Sequence, residues 1–327
     1  MSTPIRWGIL ATGSIAHQFA GGLAVIPDAE LTAVGSRTVE AANEFADQYD
    51  VPRRHASYEE LAADPDVDVI YVATPHPFHK ENSLLCLDAG KAVLCEKPFT
   101  MNAREAEAVV ARARKKGVFL MEAMWTRFLP ISGKVRQWIG EKAIGDVRMI
   151  AADFGYRAEF DPEMRAFNPD LGGGGLLDVG VYPIAYISMI LGPEPDRIAS
   201  LAEIGDTGVD EQAAVVLGYP QGELALLSCA VRTDTTNEVR ILGTDGQIHL
   251  HPPFFTGTTA TLKAGNLEET VELPLEGNGY NYQAVEVMKC LRDGRLESGL
   301  MPLDETVAIM NIMDRIRSQW GLKYPME

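Results

Sequence analysis

Short apolar runs alternate with longer stretches of helical periodicity over the first third of the chain. This is the pattern of a parallel sheet wound with helices. Ile5–Leu10 reads as a strand, followed by a glycine-containing turn and a helix from about Ser14. Glu30–Ser36 reads as a strand and Val39–Tyr49 as a helix with Ala and Phe on one side. Val67–Ala73 is nearly continuous apolar sequence, as expected of a strand covered on both faces. Pro77–Ala89 follows as a helix, Ala92–Cys95 as a strand, Ala103–Lys116 as a helix and Val118–Met121 as a strand. Gly90 and Gly117 stand where helix C-caps belong.

After about Ala123 the rhythm changes. Ile131–Glu141 reads as a helix, and then strands are expected at Val147–Arg157, Arg197–Ile204, Gln212–Leu217, Glu223–Val231, Glu238–Leu242 and Gln247–His251. Thr244-Asp245-Gly246 is a hairpin turn signal. Ala284–Leu291 and Asp304–Arg317 close the chain as helices. The expected architecture is therefore a doubly wound parallel sheet over residues 1–123, then an α+β domain over 124–327 with a mostly antiparallel, open sheet. One face of such a sheet needs covering, so a homodimer or higher assembly is expected. The run Gly172–Gly175 is too short for a linker and would let backbone approach a ligand or another chain.

Composition narrows the function. The chain has 327 residues, enough for two domains, and a formal charge of 29 − 46 = −17. That balance argues against nucleic acid and against anionic membranes, both of which need clustered Lys and Arg. The basic run Arg112–Lys116 ends a helix, where it complements the dipole. Cys86, Cys95, Cys229 and Cys290 lie in apolar runs and read as buried free thiols, and no metal-ligand spacing occurs. No stretch is read as reaching the roughly 20 apolar residues of a membrane span. The first residues lack the apolar core of a signal peptide, so a cytoplasmic setting is expected.

Candidate chemistry begins at Ala11-Thr12-Gly13-Ser14-Ile15-Ala16, between the first strand and the first helix. This is the place of the Rossmann dinucleotide fingerprint, with its first glycine replaced by Ala11. Gly13 allows close approach to a pyrophosphate, and the helix N-terminus offers N–H groups to it. The second strand ends in Gly35-Ser36-Arg37, where a carboxylate would select the non-phosphorylated cofactor. Ser36 and Arg37 can instead hydrogen-bond a 2′-phosphate, so NADP is favoured over NAD. A lone lysine, Lys97, ends an apolar run just before Pro98. Asp178 and Tyr182 stand four apart on an expected helix and so share a face. A lysine, an aspartate and a tyrosine able to converge are the parts of a proton-transfer site.

With these motifs on view, the chain resembles the glucose–fructose oxidoreductase / inositol dehydrogenase (Gfo/Idh/MocA) superfamily along nearly its whole length. The resemblance rests on Gly8–Ala16, on Thr74-Pro75-His76-Pro77-Phe78-His79, on Glu96-Lys97-Pro98, and on the glycine-rich segment holding Asp178 and Tyr182. Glu122–Pro130, with Trp125 and Arg127, is more specific. It is similar to the branch of dimeric dihydrodiol dehydrogenases and NADP-dependent D-xylose dehydrogenases. Tyr182, Asn278–Tyr282 and Leu303–Thr306 fit that branch too, which often has His where this chain has Asp304. The resemblance implies cofactor contacts at Thr74, Pro75, His76, His79, Glu96 and Lys97, with Lys97 near the nicotinamide and Tyr182 as proton donor and acceptor. It also raises the expectation that the Lys97–Pro98 bond is cis. Tyrosine, with a pKa of about 10, needs a cation beside it to act as a base at neutral pH, and Lys97 would be that cation. Asp178 would orient Lys97 or bind a substrate hydroxyl. Trp125, Arg127, Tyr156 and Tyr282 are candidate substrate-pocket residues.

The expected function is hydride transfer between NADP and a carbinol of an aldose, vicinal diol or related polyol. Two other readings stand beside it. One is a dinucleotide-dependent glycosidase of the same fold. The other is a non-catalytic dinucleotide sensor, which would have no need of Lys97 and Tyr182.

Overall fold

A computed structural model of the protein describes residues 3–327. The chain divides into two compact units, and the division does not follow the sequence in two pieces. The first unit comprises residues 3–100, 104–125 and 276–306, and the second comprises 101–103, 126–275 and 307–327.

The first unit is a six-stranded, all-parallel sheet. Its strands are β1 (Ile5–Leu10), β2 (Ala29–Gly35), β3 (Arg53–His55), β4 (Val69–Val72), β5 (Ala92–Glu96) and β6 (Leu120–Ala123), in the order β3-β2-β1-β4-β5-β6. This is the doubly wound dinucleotide-binding order. Every residue of β4, β5 and β6 is buried, which is why they read as unbroken apolar runs. The sequence reading did not include β3 or the helix Tyr58–Ala62 after it, because Arg-Arg-His at a sheet edge carries no apolar pattern. Gly90 and Gly117 take left-handed φ values of 78° and 64°, as their C-cap placement requires.

Residues 276–306 return to this unit and pack against the first helix, Ser14–Leu23. Asn278 Nδ2 donates to the Gln18 carbonyl at 2.7 Å, and Arg292 pairs with Asp28 at 2.7 Å. A Cβ at Gly22 would lie 2.9 Å from Tyr280 Cβ, so the segment approaches the helix at glycine distance. Farther on, Leu120 N–H donates to the Leu296 carbonyl at 3.1 Å.

The second unit holds an eight-stranded sheet. Its strands are β7 (Val147–Gly155), β8 (Arg197–Ile204), β9 (Asp210–Gly218), β10 (Leu224–Ala230), β11 (Val239–Gly243), β12 (Gly246–Leu250), β13 (Thr259–Ala264) and β14 (Leu267–Glu272). The order is β14-β13-β12-β11-β7-β10-β9-β8, antiparallel throughout except where β7 meets β10. The last hairpin escaped the sequence reading because β14, Leu-Glu-Glu-Thr-Val-Glu, is a charged edge strand. Burial alternates along β9, with the inward residues buried and the outward ones open. The open side of the sheet presents Leu201, which is 81% exposed, together with Val216 and Leu226.

The helical segment Pro169–Leu191 is long and apolar enough to pass for a membrane span, with a mean hydropathy of 1.5 over its best window. That window is 83% buried, as befits the core helix of a folded unit.

Candidate active site

In the first unit the fingerprint loop follows β1. Ala11 takes a φ of 83°, the left-handed region that the usual glycine would occupy freely, and its N–H donates to the Gly35 carbonyl at 2.9 Å. Thr12 and Gly13 lead into the helix of Ser14 and Ile15. No side chain caps that helix, and its first turn carries no acid. A Cβ at Gly13 would meet no atom within 4 Å. Open space at an uncapped helix N-terminus fits the pyrophosphate of a dinucleotide. At the end of β2, Ser36 is buried and its N–H donates to the His55 carbonyl at 3.2 Å, while Arg37 is exposed.

The loops after β4 and β5 lie at the carboxyl edge of the sheet. Thr74, Pro75 and His76 leave β4, and His79 opens the next helix, fully buried. His79 Nε2 lies 2.7 Å from the Thr74 carbonyl oxygen and Nδ1 lies 2.8 Å from that of Pro98, so the ring bridges the two loops, its neutral form donating its single N–H to one of these carbonyls. Burial outweighs those carbonyls and holds its pKa down at about 4. Glu96 points inward rather than toward solvent. It accepts the Tyr71 hydroxyl through Oε1, and its Oε2 accepts the Lys97 N–H at 3.1 Å. Burial raises its carboxyl to about 6. The Lys97–Pro98 bond is cis, as the resemblance implies. Trp125 stacks on Tyr280 with ring centroids 4.4 Å apart, and the Tyr282 hydroxyl accepts the Glu276 N–H at 2.8 Å.

In the second unit Asp178 and Tyr182 share a helix, but its first turn differs from the expected α-helix. Leu176–Gly180 forms a π-turn, and the α-helix proper runs Val181–Leu191. Wide turns of this kind recur at functional sites. Arg165 and Tyr156 both hold Asp178. Arg165 grips it bidentately, Nη1 to Oδ1 at 3.0 Å and Nη2 to Oδ2 at 3.1 Å, and the Tyr156 hydroxyl donates to Oδ2 at 2.8 Å. Burial and the Asp178 carboxylate push the Tyr156 hydroxyl well above its ordinary range, so it remains a donor. Tyr182 lies beside Phe154 at 5.2 Å and Phe255 at 6.4 Å, two rings that stack on each other at 4.1 Å. Arg127 is only 1% exposed, and its Nη2 donates to the Ala185 carbonyl at 2.6 Å, so it braces the helix of Tyr182 from inside.

The sequence reading missed Arg165, Phe154 and Phe255. Arg165 sits in an irregular segment, where no spacing rule links a cation to a carboxylate thirteen residues on. Phe154, at the end of β7, was available as an aromatic beside Tyr156.

Comparisons with known proteins show the family and the fold. Residues 5–124 match the oxidoreductase family, NAD-binding Rossmann fold, and residues 133–249 match the GFO/IDH/MocA C-terminal domain. The chain is 39% identical to the trans-1,2-dihydrobenzene-1,2-diol dehydrogenase of Bos taurus and 38% to that of Homo sapiens, over 99% of both chains in each case. An aldose-aldose oxidoreductase from Caulobacter crescentus superposes with a TM-score of 0.89 at 25% identity, covering 97% of this chain and 98% of that one. A 3-ketoreductase from Actinomadura kijaniata, solved with NADP, superposes at 0.86 with 27% identity over the same shares. The chain is thus a dinucleotide-dependent oxidoreductase acting on CH–OH groups, and it belongs to the Gfo/Idh/MocA family.

Proposed function

We propose that the protein is an NADP-preferring dehydrogenase of vicinal diols and aldoses, in which Tyr182 handles the hydroxyl proton. The observation that carries this reading is the helix of the second unit. There Tyr182 follows an Asp178 fixed by Arg165 and Tyr156, and it stands against an apolar wall of Phe154 and Phe255. Such a wall suits the C–H face of a ring, and Asp178 suits a neighbouring hydroxyl. The relatives named for a dihydrodiol make trans-diols the first substrates to try.

The open space at Gly13 would hold the dinucleotide, which would supply the hydride acceptor for oxidation and the donor for reduction. Tyr182 accepts the proton that leaves the hydroxyl in oxidation and returns it in reduction. Lys97 stabilises the alkoxide as charge develops on oxygen. Its backbone is fixed by Glu96 and the loops tied by His79, so the ammonium starts from a defined stem. Asp178 orients the substrate through a second hydroxyl.

Ser36 and Arg37 support NADP, since a phosphate gains a cation there and meets no carboxylate. Absorbance-monitored reduction of NADP⁺ and NAD⁺ with trans-1,2-dihydrobenzene-1,2-diol, D-xylose, D-glucose and inositols tests the reading. Turnover should favour NADP⁺ and fall at least about 100-fold in Tyr182→Phe. Arg37→Ala should lower kcat/KM for NADP⁺ by about 10-fold and leave NAD⁺ unchanged. Absence of turnover across the panel by protein that binds NADPH would sink it. A second copy of the chain is the expected cover for the sheet face bearing Leu201, Val216 and Leu226. Sedimentation of Leu201→Asp against the parent checks this, with monomer formation the expected result.

A further inference from the structure

Asp210 opens β9 and is 0% exposed. Its Oδ2 accepts the Leu176 N–H at 2.6 Å, while Oδ1 has no hydrogen-bond partner among the described residues. Leu176 begins the π-turn that carries Asp178 and runs on into the helix of Tyr182. The first N–H groups of a helix lack acceptors within it, and a carboxyl group there supplies one at the positive end of the dipole.

The glycine run is shaped around this group. A Cβ at Gly174 would collide with Asp210 Oδ1, and one at Gly175 would touch Oδ2 at 3.5 Å. Gly174 also has a φ of 108°, open to glycine and strained for other residues. A Cβ at Gly173 would strike the carbonyl oxygens of Arg165 and Ala166 at 2.7 and 2.9 Å. The Tyr324 hydroxyl donates to the Gly173 carbonyl at 2.6 Å. The other titratable or charged groups facing Asp210 are Cys229, Tyr324 and Arg317. Burial raises the first two well above their ordinary ranges, which keeps them neutral, and Arg317 is engaged by Asp314 and Glu327 at 2.7 and 2.5 Å. A carboxyl buried without a cation bonded to it is costly, so its retention here needs an offsetting role.

We propose that Asp210 is a positioning residue for the reaction: seated beneath the glycine run, its carboxyl anchors the first N–H of the π-turn and so sets where Asp178 and Tyr182 present their side chains. The inference rests on the reading of Tyr182 given above. Burial pushes the Asp210 carboxyl up to about 7, so the anchor changes charge near neutrality.

Asp210→Ala and Asp210→Asn test it, with kcat and KM measured on the best substrate of the panel above. Hydrogen exchange is followed at the amides of Leu176–Tyr182 in the same proteins. Asp210→Ala should lose about 30-fold or more in kcat with KM for NADP⁺ within about 2-fold, because misplacement of a reacting group acts on kcat. The Leu176 amide should lose protection. Asp210→Asn keeps an acceptor oxygen and should restore kcat to within about 3-fold of the parent, with a kcat–pH profile that lacks the parent's change around pH 7. Asp210→Ala with parental kcat and a protected Leu176 amide would overturn the proposal. If Asp210→Ala does not fold, the near-isosteric Asp210→Leu, which has no acceptor for the Leu176 N–H, takes its place, and parental kcat with a protected Leu176 amide in that protein overturns the proposal. The two readings fail separately. Full activity in Tyr182→Phe removes the proton role whatever Asp210 does, and if no panel substrate is turned over, exchange at Leu176 alone decides whether Asp210 anchors the helix.

Discussion

The two units hold their functional side chains by different means. In the first, Lys97 leaves the end of a buried strand, and the side chains around it hold backbone groups rather than other side chains. Glu96 accepts its N–H, and His79 ties the flanking loops by their carbonyls. In the second, Asp178 and Tyr182 ride a helix whose first turn is widened, and side chains do the fixing: Arg165, Tyr156 and the Phe154–Phe255 pair. Burial raises a carboxyl in each unit, Glu96 to about 6 and Asp210 to about 7. A cofactor common to many enzymes suits a backbone cradle. A substrate that differs between enzymes suits replaceable side chains.

Adding one methyl group to each unit is the sharpest way to break the comparison. Gly174→Ala should cost about 3 kcal/mol or more, from the collision with Asp210 and the forbidden φ together. Urea denaturation measures it. Gly13→Ala meets only open space and should leave stability within about 0.5 kcal/mol of the parent. Its NADPH affinity, read by fluorescence titration, should fall about 10-fold, because the methyl occupies the space a pyrophosphate needs. Equal stability losses in the two variants would erase the distinction.

The paired carboxyls predict a smaller, pH-dependent effect. Both are raised in the folded state, so the folded protein binds more protons than the unfolded chain. Their stabilising contribution is complete below about pH 4 and is lost as pH rises through about 6 for Glu96 and about 7 for Asp210. Thermal melts between pH 4 and 8 should show this decline. Asp210→Asn should flatten its upper part and Glu96→Gln its lower part. Unchanged slopes in both would mean that neither carboxyl is held neutral. The smallest effect belongs to Ala11. Replacing it with glycine relieves the left-handed φ of 83° and should add about 0.5–1 kcal/mol to stability, checked in the same denaturation series.

Much of the first unit was legible in the sequence because its strands β4, β5 and β6 are buried on both faces and two of its helices, His79–Asp88 and Ala103–Lys116, end at glycines. The fingerprint, Lys97 and the carboxyl-edge histidines all follow from strand ends, which an apolar run marks. The second unit was legible as a change of rhythm and as the Asp178/Tyr182 spacing. The π-turn was not, since i and i+4 spacing looks the same in either helix. Nor were the partners of Asp178 and of the glycine run. Arg165 and Asp210 act across 13 and 34 residues, through folds of the chain that no local pattern encodes. Arg127, from its motif a candidate for the pocket wall or for packing, has its Nη2 on the Ala185 carbonyl.

The return of residues 276–306 to the first unit has a consequence for synthesis. An N-terminal domain is ordinarily free to fold as it leaves the ribosome. Here the helix Ser14–Leu23 waits for Asn278 and Tyr280, with the 150 residues of 126–275 made in between. At roughly 5–20 residues per second that is a delay of roughly 8–30 s, during which the glycine face of that helix stays uncovered. The nascent chain should therefore resist protease over its first 125 residues only after the last segment of the unit has emerged.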